Sequence, residues 1–426
     1  MGNIEYKCPN CGGSLVFDAT SQKVTCEYCG AEFEVSDVKE YNDAVATTRE
    51  EDYSWDDSTE EFSSSELKNL NVYMCDCCGG QIVADDNTTA TSCPYCGSPI
   101  ILKGRLEGSL KPDYVIPFKN TSNDLVPMLD KFLKKKLFLP NSFKKFNEVE
   151  QVKGLYVPFW VHDADANGYV RFKGEIERKW TSGDYRYKEI KYYSIIRDGS
   201  LGFNKIPVDG SKSMPDDLME SIEPFDFNGA VKFDPVYLSG HLSEKYDVDK
   251  NEVLPRVNER IKNATVAQFR TTVKGYDEVK LDSASISLYN TRVSYCLYPV
   301  WTMATRYKNK SYLFAMNGQT NKMVGNLPCA GWKVLVSFLS WFLGLGGLIG
   351  LALCGMMTKW DAAAFIIGGV IGLIVAIIFC VTNKKKLKCV QKQKTALQYY
   401  RDGSMRISNS RDIYLYKKVT KTKISS

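Results

Sequence analysis

Eight of the fourteen cysteines lie in four Cys-x-x-Cys pairs, each followed by glycine, a spacing with which two thiolates can bind one metal ion. The pairs are Cys8/Cys11, Cys26/Cys29, Cys75/Cys78 and Cys93/Cys96. Fourteen residues separate the two pairs in each half, so the arrangement is an internal repeat. Four sulfurs around Zn²⁺ form a closed tetrahedron that holds a fold together and leaves no position for a reactive water. The sequence therefore predicts two zinc ribbons, each with one structural zinc ion.

A single Cys-x-x-Cys pair could instead be a redox pair, but four pairs in two equally spaced sets favour metal. Cys77 breaks the repeat, because its counterpart in the first copy is Asn10. It could compete for the second zinc ion through a shifted register. We prefer Cys75 and Cys78, whose spacing matches that of the first ribbon.

The elements that must position these cysteines are short. We place the first ribbon at residues 1–33 and the second at 71–104, each too small to fold without its metal. Residues 34–70 are rich in Asp, Glu, Ser and Thr and predict an acidic disordered linker, in which Tyr53 and Trp55 are either a docking motif or incidental. We expect both ribbons to be docking modules whose removal leaves the rest of the chain intact.

Residues 105–330 have the pattern of a folded region that is also duplicated. Each half contains a proline-bearing aromatic segment, Tyr156 to Trp160 in the first and Leu297 to Trp301 in the second, preceded by an amphipathic helix and accompanied by alternating strand patterns. We predict two related α+β units with antiparallel sheets, at residues 105–222 and 223–330. The fold class is therefore multidomain.

Two long apolar runs follow, at residues 334–357 and 362–381, and neither contains a charge. Each is long enough to cross a hydrocarbon core of about 30 Å, which takes about 20 helical residues. We predict a transmembrane helical hairpin at residues 331–383. Small residues recur every fourth position in both runs and would let the two helices approach closely; they are Gly346, Gly350, Cys354, Ala364, Gly368, Gly372 and Ala376.

The charges around the hairpin predict its orientation. Lysines cluster just after the second run, Lys333 precedes the first, and the loop between them offers only Lys359 against Asp361. Lysine excess marks the cytoplasmic side. No charged-then-apolar segment precedes Cys8 that would argue for export. We expect a multi-pass protein of the cell inner membrane with both termini in the cytoplasm.

The two ends of the chain differ in charge. Residues 1–104 carry 19 acidic and 6 basic side chains, whereas the last segment carries 13 basic and 2 acidic ones. We predict a basic cytoplasmic tail at 384–426 that suits an anionic lipid surface. Within it we expect a polar helix from Lys384 to about Tyr400 and a strand from Asp412 to Val419 that could rejoin the sheet.

Enzyme signatures are scarce. His162 precedes two aspartates and His241 precedes a helix, but no nucleophile elbow, phosphate loop or HExxH motif accompanies them. We expect a non-enzymatic protein with no cofactor other than zinc. Nucleic acid is an improbable partner, because the ribbons are acidic and phosphate contacts require a basic footprint. A lysine run around residues 131–145 is the one internal basic candidate, and near a bilayer it could meet lipid.

Five features of the chain occur together: the double ribbon, Tyr156 to Trp160, Tyr237-Leu238-Ser239-Gly240, the Asn317 turn before the hairpin, and the basic tail. In this combination the chain resembles the YdjG-type family of bacterial membrane-anchored proteins with a TFIIB-type zinc ribbon. The resemblance implies a membrane accessory protein and suggests a link to envelope-stress (phage-shock, PspA-like) systems. Our hypothesis is an adaptor that recruits a cytoplasmic protein to the membrane. The alternatives are a membrane-tethered nucleic-acid-binding protein and an enzyme that uses His162.

Overall fold

The computed structural model describes residues 6–46, 50–56, 70–85, 93–96, 98, 101–105, 110–145, 152–238, 240–308, 310–357 and 362–424. Its strands are β1 Leu15–Asp18, β2 Lys23–Cys26, β3 Glu32–Phe33, β4 Leu70–Met74, β5 Gln81–Asp85, β6 Ile101–Arg105, β7 Tyr114–Val115, β8 Val152–Ser182, β9 Tyr185–Asp209, β10 Val231–Lys232, β11 Leu242–Glu244, β12 Glu278–Tyr307, β13 Lys310–Asn317, β14 Met323–Gly325 and β15 Arg406–Lys423. Its helices are α1 Val35–Ala46, α2 Ser122–Lys134, α3 Asn141–Lys145, α4 Asp216–Ile222, α5 Leu254–Thr271, α6 Gly331–Leu339, α7 Gly346–Met357 and α8 Ala362–Lys385.

The central feature is a sheet to which twelve of these strands belong. The long strands β8 and β12 pair antiparallel over most of their length, and β9 pairs with the other side of β8. A tight turn at Gly183, whose φ of 55° suits glycine, joins β8 to β9. Because β8 comes from the first predicted α+β unit and β12 from the second, the two units share one sheet. The prediction of a separate sheet for each unit is therefore wrong.

Helices cover both faces of this sheet. Successive side chains of a strand point to opposite faces, so Trp160 and Phe159 belong to different hydrophobic clusters. Helix α5 packs Val257, Ile261 and Phe269 on the face of Trp160, where they form the larger cluster. Helix α4 packs on the face of Phe159.

The first ribbon has a sheet of its own, in which β1, β2 and β3 pair antiparallel. Helix α1 follows directly and buries Val38 against Phe33 of the ribbon. Further along, Tyr53 and Trp55 pack on the main core. The prediction of a disordered linker over residues 34–70 is thus wrong for these described parts. Their few apolar side chains contact the ribbon and the twelve-stranded sheet with its covering helices, which we call the body. Residues 57–69 lie outside the described residues.

The second ribbon is part of the main sheet. Its strands β4, β5 and β6 pair together, and β5 also pairs antiparallel with β11, with Val83 opposite Ser243. Strand β11 in turn pairs with β8. The expectation that both ribbons are detachable modules is therefore wrong for the second ribbon, because its backbone hydrogen bonds continue into the body.

Two apolar helices lie near the C-terminal end of the chain, and each is long and apolar enough to cross a membrane. The first runs from α6 through a π-helical stretch, Ser340–Leu345, into α7, and the second is α8. They contact each other along the small residues. A Cβ atom on Gly372 would lie 2.8 Å from Gly346 Cα and 2.8 Å from Phe342 O. The buried residues of α8 are Ala364, Gly368, Gly372, Ala376 and Cys380.

The segment after α8 differs in part from the prediction of a polar helix up to Tyr400. Helix α8 ends at Lys385, and only a single 3₁₀ turn, Leu397–Tyr399, follows. Between them the chain forms no helix, and its backbone bonds to the body instead: Gln391 N donates to Ser221 Oγ at 2.7 Å and Ala396 N to Arg260 O at 3.0 Å. The predicted C-terminal strand is confirmed, since β15 pairs with β9 along its length.

Candidate metal centres

The first candidate metal centre is the group Cys8, Cys11, Cys26 and Cys29, whose sulfur atoms all lie within 4.8 Å of one another. Two of the separations are 3.7 Å, between Cys8 and Cys29, and 3.5 Å, between Cys11 and Cys26. Four sulfurs at about 2.3 Å from a zinc ion would be about 3.8 Å apart at the edges of a regular tetrahedron. The four thiols therefore fit one Zn²⁺ with little adjustment.

The second candidate centre repeats this geometry. Cys75 lies 3.6 Å from Cys96 and Cys78 lies 3.5 Å from Cys93, measured between sulfur atoms. Cys77 is exposed and lies outside the group, so the structure brings Cys75 and Cys78 to the site, in the register of the first ribbon. The two Cys₄ groups are consistent with two structural zinc sites.

Tight turns in the backbone form both centres. The N–H group of Gly12 donates to Cys8 O at 2.8 Å, and that of Gly79 donates to Cys75 O at 2.8 Å. Gly12, Gly30 and Gly79 have φ of 75°, 67° and 76°. A side chain is strained in this left-handed conformation, which explains the glycine after each of these pairs.

The eight sulfurs differ in burial and in the pKa of their thiols. Cys8 and Cys26 of the first centre and Cys75 and Cys93 of the second are buried, while the other four are more accessible. Burial raises the pKa of the Cys8 thiol to about 12 and raises that of Cys93 further. At Cys26 and Cys96 burial also raises the pKa, but hydrogen bonds outweigh it and lower the pKa to about 7 and about 6. Zinc provides the charge that stabilises thiolates in such surroundings, and it supplies folding energy rather than catalysis because four protein ligands complete its shell.

The two centres differ in their surroundings. The first lies in a small cluster with Phe33 and Val38. The ribbon contacts the body at Tyr416, whose hydroxyl donates to Asn10 Oδ1 at 2.7 Å and whose ring meets Phe33 edge-on, and the following helix α1 packs Tyr41 on a cluster of the body. The second centre belongs to the hydrophobic cluster beneath α4, together with Ile82 and Met214. One centre therefore organises an appended module, and the other organises part of the body.

His162 is fully buried in the main sheet. Its ring meets Trp55 edge-on at 4.9 Å, and burial lowers its pKa to about 4. The neighbouring carboxylates are engaged elsewhere, because Asp163 pairs with Lys205 at 2.6 Å and Asp165 with Arg401 at 2.5 Å. The structure does not bring His162 and these aspartates together as a metal site or an acid–base pair. It favours a structural role for His162.

His241 belongs to an aromatic cluster at the start of the two aromatic segments' pairing, where Tyr156 and Trp301 lie. Its ring stacks on Phe118 at 4.4 Å and lies near Tyr156 and Trp301. Gly154 makes room for it, since a Cβ atom there would lie 2.6 Å from the imidazole ring. This packing explains the glycine before the first aromatic segment.

The sequence reasoning missed a buried ionic cluster beside α5. Arg260 bonds Glu223 at 2.6 Å, and Tyr399 donates to the same carboxylate at 2.8 Å. Arg256 bonds both Asp209 and Glu220, at 2.9 and 2.7 Å. The members come from distant parts of the chain, so no local spacing signals them. They fix the segment after α8 to the body.

Comparison with known proteins agrees with this geometry. Residues 6–46 match the family model described as TFIIB zinc-binding. The chain is 34% identical over 350 residues to YdjG of Bacillus subtilis (strain 168), an alignment that covers 82% of this chain and 96% of the relative. No solved structure matches. The fold and sites define a sheet-rich protein with two Cys₄ zinc ribbons and two apolar helices. The chain belongs to the YdjG family.

Proposed function

We propose that this protein is a non-enzymatic adaptor, anchored in the cytoplasmic membrane, whose first zinc ribbon recruits a cytoplasmic protein. The observation that carries the proposal is the surface of that ribbon. Val16, Phe17 and Tyr28 are 47%, 53% and 80% exposed. Large apolar side chains on an appended module are typical of a binding surface rather than of a core. The metal holds the ribbon in shape, so the surface is available without a large core beneath it.

The membrane part of the proposal is supported by the outer faces of the apolar helices. Leu348, Ile366 and Ile378 are 60–66% exposed, and such a surface requires lipid or protein around it. We propose that α6 to α8 form a transmembrane hairpin and that both termini are cytoplasmic. The lysines at residues 384–386 and Lys333 lie at the same end of the helix pair and favour this orientation.

The duplication predicted from the sequence also stays a proposal. The two aromatic segments face each other on paired strands, with Tyr156 opposite Pro299 and Trp160 opposite Tyr295. A short strand runs parallel to each segment: β11 beside Leu155 and Tyr156, and β7 beside Leu297. This approximate two-fold arrangement supports two related units that exchanged strands within one sheet.

The test of recruitment is affinity purification of the full chain in mild detergent, followed by mass spectrometry. A Phe17→Ser/Tyr28→Ser variant should lose a protein that the wild type retains. Val236→Ser is the control, because Val236 is 69% exposed on the body and its replacement removes exposed apolar surface away from the ribbon. If the double variant keeps every partner of the wild type, recruitment by the first ribbon is wrong.

A further inference from the structure

A cavity of about 590 Å³ lies beside the cytoplasmic end of the proposed hairpin. Its walls combine lysines with apolar side chains, and no carboxylate of the described residues lines it. The lining residues are Met128, Lys131, Phe132, Lys135, Lys136, Asn321, Met323 and Lys386. A cavity of this composition can bind a ligand that has both an anionic group, which the lysines would contact, and an apolar part, which the apolar side chains would contact.

The cavity is held against the apolar helices by direct bonds. Lys136 Nζ donates to Lys386 O at 2.6 Å, which ties the end of α2 to the end of α8. On the other side, Ala330 N donates to Phe138 O at 2.8 Å and Lys333 Nζ to Leu139 O at 2.7 Å, just where α6 begins. Phe138 and Phe379 also meet edge-on. These contacts place the cavity at the level where the chain enters and leaves the apolar helices.

The lysines of the cavity lack compensating acids. Among the described residues, no carboxylate forms an ion pair with Lys131, Lys135, Lys136 or Lys386; Asp130 pairs instead with Lys134. The Lys136 ammonium group is engaged by backbone and by Cys389. Lys131, Lys135 and Lys386 therefore line one cavity with their positive charges not paired to a carboxylate of the described residues. This arrangement favours a bound anion.

We propose that this cavity binds the phosphate headgroup of an anionic phospholipid of the cytoplasmic leaflet. The inference rests on the proposed membrane insertion. The ammonium groups bind the phosphate, and Met128, Phe132 and Met323 contact the apolar part of the lipid. Basic pockets beside transmembrane helices on the cytoplasmic side bind anionic headgroups by the same chemistry, and each lysine near the surface contributes about 1 kcal/mol, a factor of about five in affinity.

The test uses the full chain reconstituted in nanodiscs of phosphatidylcholine with or without phosphatidylglycerol, with lipid bound to the protein measured by native mass spectrometry. We expect phosphatidylglycerol to be preferred. Lys131→Gln/Lys135→Gln should lower the affinity about 25-fold, from two factors of five. Lys418→Gln/Lys423→Gln is the control, because it removes the same charge from exposed positions on β15, outside the cavity.

Three binding results would overturn the inference, and so would a failure of the protein to enter nanodiscs. The first is equal binding of the two lipids by the wild type, and the second is an unchanged preference in the Lys131/Lys135 variant. The third is saturable binding of inorganic phosphate in neutral detergent that excludes phosphatidylglycerol, which would assign the cavity to a soluble phosphate. A protein that does not enter nanodiscs would refute membrane insertion and the lipid site together. Insertion without a lipid preference would refute the lipid site alone.

Discussion

Loss of zinc from the two ribbons should have unequal consequences. Replacing Cys75 and Cys78 by Ser removes half of the second tetrahedron and, with it, metal-binding energy on the order of 10 kcal/mol that folds the ribbon. Strand β5 then leaves β11. The cluster beneath α4 loses contacts of Ile82 and Met214, and the larger cluster on the face of α5 loses contacts of Val83; all three side chains are buried. At roughly 1.5–3 kcal/mol for each side chain, the body loses roughly 5–9 kcal/mol. This is comparable with the total stability of a typical domain, about 5–15 kcal/mol.

The matched control is Cys8→Ser/Cys11→Ser in the first ribbon. That ribbon contacts the body through Asn10 and Phe33 on Tyr416 and through Tyr41 of α1, without a shared strand pairing. Its unfolding should therefore cost the body less than the roughly 5–9 kcal/mol expected for the second ribbon. Metal analysis should find two zinc ions in the wild type and one in each variant. Limited proteolysis and thermal unfolding in detergent should show a body that is destabilised more by the second-ribbon change than by the first-ribbon change. Equal stability of the body in the two variants would refute the reasoning.

Three further predictions concern other parts of the chain. Gly368→Val should separate the apolar helices and lower the amount of protein in the membrane, because a Cβ atom on Gly368 would clash with Gly346 O. Gly369→Val should not, because a Cβ atom on Gly369 meets no atom within 4 Å. Equal abundance of the two variants in the membrane would contradict this packing. A reporter that is active only outside the cytoplasm should stay inactive when fused after Ser426, and activity there would reverse the proposed orientation. Burial raises the pKa of Glu244 to about 8 from an ordinary 4.5, so the folded state holds the proton more tightly than the unfolded state. The stability of the protein should therefore fall as the pH rises between these two values. Thermal unfolding of Glu244→Gln should lack this pH-dependent component, and a pH profile identical to that of the wild type would disprove it.

Corrections to the sequence-based picture come from pairings between distant residues. Trp55 looked like part of an acidic linker, yet its ring covers His162 and its indole N–H donates to Asn258 Oδ1 at 3.0 Å. Residues 386–396 have a polar composition compatible with a helix, but Ser221 and Arg260 supply hydrogen-bond partners that hold the segment against the body without a helix. In each case local composition is ambiguous, and contacts more than a hundred residues away in the chain determine the conformation.

The sequence by itself determined the features that depend on short-range spacing or on length. Two Cys₄ groups follow from Cys-x-x-Cys turns because the ligands of each turn lie three residues apart, and two apolar helices follow from uncharged runs of about 20 residues. Only the tertiary structure decided that β5 joins the second ribbon to the body, that β8 and β12 unite the two halves in one sheet, and that Lys131, Lys135 and Lys386 share a cavity. The physical reason is that strand pairing and the grouping of charged side chains depend on contacts between segments far apart in the chain. The local spacing of residues does not indicate which of these segments are in contact.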